Sequence, residues 1–175
     1  MLYAGLDISL TCTGLVILDI QGAVVSRQLI ESKPEKGANP IKRLLGIRDR
    51  IHNELGAAES RLSEDVVSVC IEGYAFSKNA GMMFDRAELV GLVKAKLYLD
   101  ATPMHIVGPM VLKKFTTGKG NAEKSLMLQQ ILKRWGFEAR DDNEGDAYAL
   151  AQVGRALAGY TGTKEQLAAL AKLAA

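Results

Sequence analysis

The chain has 175 residues, of which 48% are hydrophobic and 24% charged, and its formal net charge is +2. This length supports one domain with a real core but not two, and the small net charge excludes a polycation, so any nucleic-acid role must rest on local basic clusters. Two cysteines beside apolar strands are typical of reduced core residues and, with only two histidines, argue against a zinc site. The sequence shows neither a signal peptide nor an apolar run of membrane-spanning length, which predicts a cytoplasmic protein.

The first predicted strand, residues 2–7, is apolar on both sides and ends on Asp7. Such a run indicates a buried central strand, and a buried carboxylate at its end needs a cation or donors unless it only caps a turn. Strands over residues 13–19 and 23–31 complete an antiparallel meander. A helix with one apolar face is predicted over residues 40–59.

The next strand, residues 66–72, ends on a second carboxylate, Glu72. A strand–helix–strand connection favours parallel pairing, so Asp7 and Glu72 are expected at the same carboxyl edge of the sheet. Because like charges held close together need a cation between them, the pair indicates a cation site. The remaining predicted elements in this part are a loop over residues 73–83, a helix over 84–99 and a last strand over 103–107.

Four lysines, two glycines and small hydroxyl residues crowd the stretch from residue 109 to residue 124. Glycine lets a backbone approach a phosphate closely and lysine neutralises it, so the stretch indicates nucleic-acid binding. A solvated surface loop between helices is the alternative interpretation. The spacing is not that of an NTP-binding P-loop. A helix is predicted to follow over residues 121–135.

A cluster of acids and amides over residues 140–146 precedes a helix predicted over residues 147–159. N-capping explains one or two of these side chains, and Asp142 or Asn143 is the predicted cap. Capping does not explain Asp146, which is expected to share one helical face with Asn143 or Asp142. The cluster therefore supplies a third candidate acid.

This order of three antiparallel strands, helix, strand, helix, strand and helices resembles the ribonuclease-H-like fold, in particular the RuvC-type Holliday-junction resolvases. The resemblance covers most of residues 1–158. It implies an α/β domain over residues 1–160, with a mixed five-stranded sheet (three antiparallel strands plus two parallel) flanked by helices, and a helical tail over 161–175. The matching segments are Gly5-Leu6-Asp7 with Thr13-Gly14, Glu72 with Lys78-Asn79-Ala80, the basic stretch from Gly118 to Ser125, and Asp146 to Ala151.

The resemblance implies a Mg²⁺-dependent endonuclease that resolves DNA four-way junctions as a homodimer, without a nucleotide cofactor or a membrane. Two Mg²⁺ ions, for which Mn²⁺ can substitute, would be held by Asp7, Glu72 and Asp146, with Asn143 or Asp142 completing the site. We expect the homodimer to form through the face of the helix between residues 82 and 93.

The resemblance also assigns roles to the lysines. Lys113 and Lys124 match basic positions close to the scissile phosphate, and Lys124 is the candidate catalytic lysine. Lys114 and Lys119 are expected to hold the DNA backbone, and Lys78 is a further DNA-binding candidate.

Two departures from the family pattern are typical of a divergent or phage-encoded member. The family usually has Asp or His three residues before the final Asp, where this chain has Asn143, so Asp142 or Glu144 is an alternative ligand. The junction-probing aromatic of some members falls at Ala75, which leaves Tyr74 or Phe76 for that role, or no wedge at all.

Two other functions remain open from the sequence, and a third is disfavoured by the length of the chain. A module that binds branched DNA without cutting it is supported by Asn143 in place of a charged ligand. Another ribonuclease-H-like nuclease, acting on flaps, forks or RNA–DNA hybrids, shares the metal chemistry, although the glycine–lysine stretch argues against it. An ATP-binding protein of the actin or sugar-kinase type would need a duplicated domain, which this length does not supply.

Overall fold

A five-stranded mixed sheet lies at the centre of the computed structural model, in the order β3-β2-β1-β4-β5. The structure describes residues 1–34, 36–37, 39–74, 80–171 and 173, with the side chains of 80–82 left out. The strands are β1 (Leu2–Asp7), β2 (Cys12–Asp19), β3 (Val24–Glu31), β4 (Val66–Glu72) and β5 (Met104–Val107).

The pairing of the strands confirms the predicted sheet. β1, β2 and β3 pair antiparallel, whereas β4 pairs parallel with both β1 and β5. In the β1–β4 register Leu6 lies opposite Ile71, so Asp7 and Glu72, each one residue further on, leave the sheet side by side. The two strand-terminal acids therefore share the carboxyl edge.

Helices cover both faces of this sheet. They are α1 (Pro40–Leu62), α2 (Ala80–Leu99), α3 (Pro109–Thr117), α4 (Lys124–Trp135), α5 (Asp142–Leu157) and α6 (Lys164–Leu170). One buried cluster joins α1 and α2 to one face, and a second joins the later helices to the other. Alternate residues of β1 point to opposite faces, because side chains alternate along a strand. Within the described residues, no helix is both long and apolar enough to span a membrane.

Several helix boundaries differ from the sequence predictions: α1 ends at Leu62 and α4 begins at Lys124, each three residues from its predicted position, and the larger differences concern α2, α3 and α5. The lysine-rich stretch is not one loop, because α3 occupies Pro109 to Thr117. Proline suits the first turn of a helix, and Gly118 ends α3 in the left-handed conformation with φ 82°. α2 begins at Ala80, inside the predicted loop over 73–83, of which residues 75–79 lie outside the described residues.

The last boundary concerns the acidic cluster, where α5 begins five residues before the predicted position. Asp141 is the N-cap: its backbone is extended, and its side chain accepts a hydrogen bond from the backbone N–H of Glu144. The predicted caps, Asp142 and Asn143, are wrong, because both lie inside the first turn of α5. Their side chains are consequently available for other contacts.

Candidate active site

Three carboxylates from separate elements meet at the carboxyl edge of the sheet. Asp7 ends β1, Glu72 ends β4, and Asp146 lies in the second turn of α5. Asp7 is 9% exposed, and the other two are partly buried. The electrostatic influence of Glu72 on Asp7, and of Asp146 on Glu72, shows that the three groups are neighbours.

Close contact between α5 and the sheet brings Asp146 to this edge. A Cβ atom on Gly5 would lie 1.9 Å from the carbonyl oxygen of Ala147, and one on Gly14 would lie 2.2 Å from the carbonyl oxygen of Asn143. Only glycine permits this approach, since any side chain would meet the helix backbone. The helix therefore rests directly on β1 and β2, and the residue before Ala147 is Asp146.

Burial and mutual repulsion raise the pKa of these acids, so their ionised forms are disfavoured in the absence of a cation. Burial, and then the charge of Glu72, raise the pKa of Asp7 to about 7. Burial, and then the charge of Asp7, raise the pKa of Asp146 to about 7. The pKa of Glu72 is also raised, by burial first and by Asp146 next. Perturbed acids held together in this way are typical of a functional site.

Arg86 contacts two of the three acids and was not singled out in the sequence. Its Nη2 atom is 3.4 Å from Oε2 of Glu72 and 3.9 Å from Oδ1 of Asp7. Its Nε atom donates a hydrogen bond of 2.8 Å to the carbonyl oxygen of Ile8. Arg86 lies on the polar side of α2, where its spacing looks like that of any solvated residue. The only available signal was that α2 follows β4, whose end carries Glu72.

The predicted lysines divide into two groups. Lys113, on α3, and Lys124, the first residue of α4, both lower the pKa of Asp146 against the larger effect of burial, so both lie near it. The Nζ atom of Lys124 also pairs with Oδ2 of Asp142, although the lysine side chain is 71% exposed. Lys114 and Lys119 are exposed, and the structure places neither against the acids. Lys78 lies outside the described residues.

The residues considered for a fourth ligand have different surroundings. Burial raises the pKa of the Cys12 thiol, and the side chain of Asn143 partly opposes that effect, which puts Asn143 beside Cys12 at the start of β2. Asp142 points to Lys124. Within the described residues, no hydrogen bond joins the side chain of Asn143 or Asp142 to any of the three acids, and we refer to these two residues as the rim of the acidic group.

Glu144, the other alternative ligand, serves a structural purpose instead. It is fully buried and forms ion pairs with Arg27 and Arg140, both at 2.5 Å. Burial alone would raise the pKa of Glu144, but the hydrogen bonds from Arg27 and Arg140 lower it to about 2. Its oxygens accept hydrogen bonds from these arginines, which argues against Glu144 as a metal ligand. Sequence patterns could not reveal partners 117 residues apart in the chain, as Arg27 and Glu144 are.

Of the candidate aromatic residues, Tyr74 is the one that the structure describes. It follows β4 by two residues, is 48% exposed, and its ring centroid is 6.0 Å from the guanidinium carbon of Arg86. Phe76 and Ala75 lie outside the described residues. An exposed ring beside the acidic group offers a flat apolar surface on which a base could stack.

The donor set fits a hard divalent cation. Carboxylate oxygens are the ligands that Mg²⁺ and Mn²⁺ prefer, and a cation would relieve the repulsion that raises the pKa of Asp7 and Asp146. In the part of the chain that the structure describes, no three such side chains converge tightly enough to ligate one ion as they stand. Repulsion between like charges opposes that convergence, so a bound ion would have to draw the carboxylates together.

Comparison with known proteins identifies the fold. No family model matches the chain. Thermus thermophilus RuvC aligns with a TM-score of 0.71 at 20% sequence identity, covering 93% of this chain and 99% of that protein. The same protein in complex with Holliday junction substrate gives a TM-score of 0.72 at 21% identity, with 93% and 98% covered. The yeast mitochondrial Holliday junction resolvase gives 0.58 at 10% identity, with 98% and 80% covered.

These identities are low, so the likeness establishes the fold. The chain has the RuvC form of the ribonuclease-H-like fold, as its sequence predicted. The alignment extends over nearly the whole length of Thermus thermophilus RuvC, so the shared architecture is not confined to the central sheet.

Proposed function

We propose that this protein is a metal-dependent endonuclease that resolves DNA four-way junctions. The observation that carries the proposal is the meeting of Asp7, Glu72 and Asp146 at one sheet edge, where burial and repulsion raise the pKa of each. Solved proteins of the same fold include RuvC bound to Holliday junction substrate and a yeast Holliday junction resolvase, which supports branched DNA as the substrate.

Two Mg²⁺ ions are the proposed cofactors, with Mn²⁺ able to substitute. Asp7, Glu72 and Asp146 would hold these ions, with Asn143 completing the site. Ions of this kind supply Lewis-acid stabilisation and a water of lowered pKa for phosphodiester hydrolysis. The acids of this chain hold that charge at the sheet edge, and their partial burial strengthens every electrostatic contact made there.

The lysines and Tyr74 form the proposed DNA contacts. Lys124 and Lys113 lie near Asp146, where they are suited to hold the scissile phosphate and stabilise its developing negative charge. Lys114 and Lys119 are exposed and suited to neighbouring phosphates, which position the DNA without reading its sequence. Tyr74 would stack against an unpaired base at the crossover.

A homodimer suits the two-fold symmetry of a four-way junction, with one subunit cutting each strand. The face of α2 that we expected to form the interface is partly buried in the core, because Val90 and Val93 are both 2% exposed. The opposite side of α2 carries Phe84, which is 63% exposed, together with exposed Gly91. This side, with its bulky ring and a small residue two turns on, is the proposed contact between subunits.

The decisive experiment compares cleavage of a mobile four-way junction with cleavage of duplex, forked and RNA–DNA hybrid substrates in Mg²⁺. We expect symmetric cuts in two opposing strands of the junction and little cutting of the duplex. Asp7→Asn, Glu72→Gln and Asp146→Asn should each abolish cleavage and leave junction binding intact, because these substitutions remove a ligand charge and not the DNA-contacting lysines.

Two outcomes would redirect the proposal. Tight junction binding by the wild-type protein without cleavage in Mg²⁺ or Mn²⁺ would establish a binding module instead. Preferential cutting of forks or RNA–DNA hybrids would establish a different nuclease with the same metal chemistry. Near wild-type cleavage by any of the three variants would remove that residue from the proposed ligand set.

A further inference from the structure

The guanidinium of Arg86 introduces a fixed positive charge on one side of the acidic group. It lies 3.4 Å from Glu72 and 3.9 Å from Asp7, measured from Nη2 to the nearest carboxylate oxygen. Among the ion pairs within 4.0 Å that the described residues form, Arg86 pairs with Glu72 and Asp7 but not with Asp146. The charge environment of the site is therefore asymmetric.

A hydrogen bond to the main chain holds Arg86 in addition to its contacts with the carboxylates. Its Nε–H bond to the carbonyl oxygen of Ile8 is 2.8 Å long, whereas both contacts to the acids exceed the roughly 2.7–2.9 Å of charge-assisted hydrogen bonds. The ring of Tyr74 lies under the guanidinium, and the arginine side chain is only 23% exposed. Main-chain anchoring and partial burial would keep this charge in place when the carboxylates bind an ion.

The lysines near the site do not cancel this asymmetry. Lys124 pairs with Asp142, and its side chain is 71% exposed, so solvent weakens its effect on the acidic group. Lys113, on α3, is partly exposed, as Arg86 is, but Arg86 is anchored by its hydrogen bond to the main chain. Partial burial reduces the screening of that anchored charge by salt.

We propose that Arg86 weakens the binding of a divalent cation by the Asp7–Glu72 pair in the DNA-free protein, so that the pair of Asp7 with Asp146 binds its ion first. This proposal rests on the metal-dependent function proposed above. Its physical basis is repulsion between a fixed guanidinium and a cation bound by the two carboxylates that the guanidinium contacts. Arg86 is thus a positioning residue that makes the two metal-binding pairs unequal.

The test is a titration of the DNA-free protein with Mn²⁺, in which electron paramagnetic resonance measures the free ion. The wild-type protein should bind one ion tightly and a second weakly. Arg86→Gln should tighten the weaker class on the order of tenfold, which is the effect expected of one unit charge a few ångströms from a divalent ion at a largely hydrated site. Without metal, Arg86→Gln should melt at a lower temperature than the wild type, because the repulsion between Asp7 and Glu72 loses its counter-charge.

Two further variants separate charge from packing. Arg86→Lys keeps the charge without the guanidinium fork, so the weak class should stay weak. Arg134→Gln removes an equal charge from the exposed side of α4 and should leave both affinities unchanged. Melting in saturating Mn²⁺ checks that Arg86→Gln still folds. If it does not, the weaker class must tighten in Arg86→Met or Arg86→Leu, which also remove the charge, or the proposal is wrong.

The Mn²⁺ titration and the cleavage assay distinguish failure of the Arg86 proposal from failure of the proposed nuclease function. Unchanged Mn²⁺ affinities in Arg86→Gln, in a protein that cuts junctions, would overturn the Arg86 proposal alone. The predicted tightening in a protein that cuts no substrate would overturn the nuclease proposal alone. Equal, tight binding of two ions by the wild-type protein would also contradict the role assigned to Arg86.

Discussion

Gly5 of β1 lies directly beneath the carbonyl oxygen of Ala147 in α5, at a distance that leaves no room for a Cβ atom. This contact between a glycine and a peptide oxygen sets the distance between α5 and the sheet. Since Asp7 follows Gly5 by two residues and Asp146 precedes Ala147 by one, this contact sets the distance between two of the candidate ligands.

We therefore expect Gly5→Ala to push α5 away from the sheet. The overpacked core should lose about 1–3 kcal/mol of unfolding free energy, and Mn²⁺ binding should weaken because Asp146 moves away from Asp7. Chemical denaturation and metal titration measure the two effects. Gly46→Ala is the matched control, because no atom lies within 4 Å of its Cβ position, and it should stabilise α1 by roughly 0.5–1 kcal/mol. Equal stability of the two variants would contradict the packing argument.

Neutralising Asp146 should stabilise the metal-free protein at alkaline pH. Its pKa in the folded state, about 7, lies above the ordinary 3.8, so the folded protein binds the proton more tightly than the unfolded chain does. The stability that this group contributes is fully present below pH 4 and is lost as the pH rises through 7. Asp146→Asn should consequently melt higher than the wild type at pH 8 with a chelator present, and this advantage should shrink at pH 5. A constant difference across that range would show that Asp146 is not protonated in the fold.

Glu144 should give the opposite pH dependence. Its folded pKa of about 2 lies below the ordinary 4.5, so its stabilising effect is present above pH 4.5 and is lost as the pH falls towards 2. Glu144→Gln should cost about 2–4 kcal/mol at pH 7, because Arg27 and Arg140 lose their buried partner, and much less at pH 2. Urea unfolding at several pH values measures this. The exposed Glu123→Gln provides the matched control, and a pH-independent loss in Glu144→Gln would argue against the ion pairs.

Alanine substitutions of Asp141, Asp142 and Asn143 should distinguish a residue that caps α5 from one that binds metal. Asp141→Ala removes the observed cap and should lower stability by about 0.5–2 kcal/mol with no change in the Mg²⁺ requirement. Asn143→Ala should raise the Mg²⁺ concentration for half-maximal cleavage, with partial rescue by Mn²⁺. Asp142→Ala should leave that midpoint nearly unchanged, because Asp142 pairs with Lys124. Unchanged midpoints in all three variants would leave Asp7, Glu72 and Asp146 as the whole ligand set.

Two lysines of the basic stretch should differ in what they contribute. Lys124→Ala should lower the cleavage rate more than the affinity for a junction, since Lys124 lies near the acids. Lys119→Ala should mainly weaken binding and reduce its salt dependence by roughly one unit of slope, as expected for one lost phosphate contact. Binding measured at several salt concentrations, with single-turnover rates, tests both. An unchanged salt slope in Lys119→Ala would mean that its charge is only solvated.

The sequence by itself determined the sheet and the position of its acids. The apolar run of β1, the β-branched run of β4 and the helix between them specify parallel neighbours through local patterns, and these place Asp7 and Glu72 together. Asp146 was recognisable because capping could not account for it. These features depend on residues that are close in the chain, where alternation and helical spacing are informative.

Only the tertiary structure decided which partners those acids have. Arg86 reaches Glu72 and Ile8 because α2 packs against the sheet, and the buried Glu144 pairs with Arg27 of β3 because α5 packs over that strand. The N-cap is Asp141 because its side chain accepts a hydrogen bond from the backbone N–H of Glu144 and its carbonyl oxygen accepts one from that of Gly145. Such choices depend on distances between segments far apart in sequence, and neither residue type nor periodicity contains those distances.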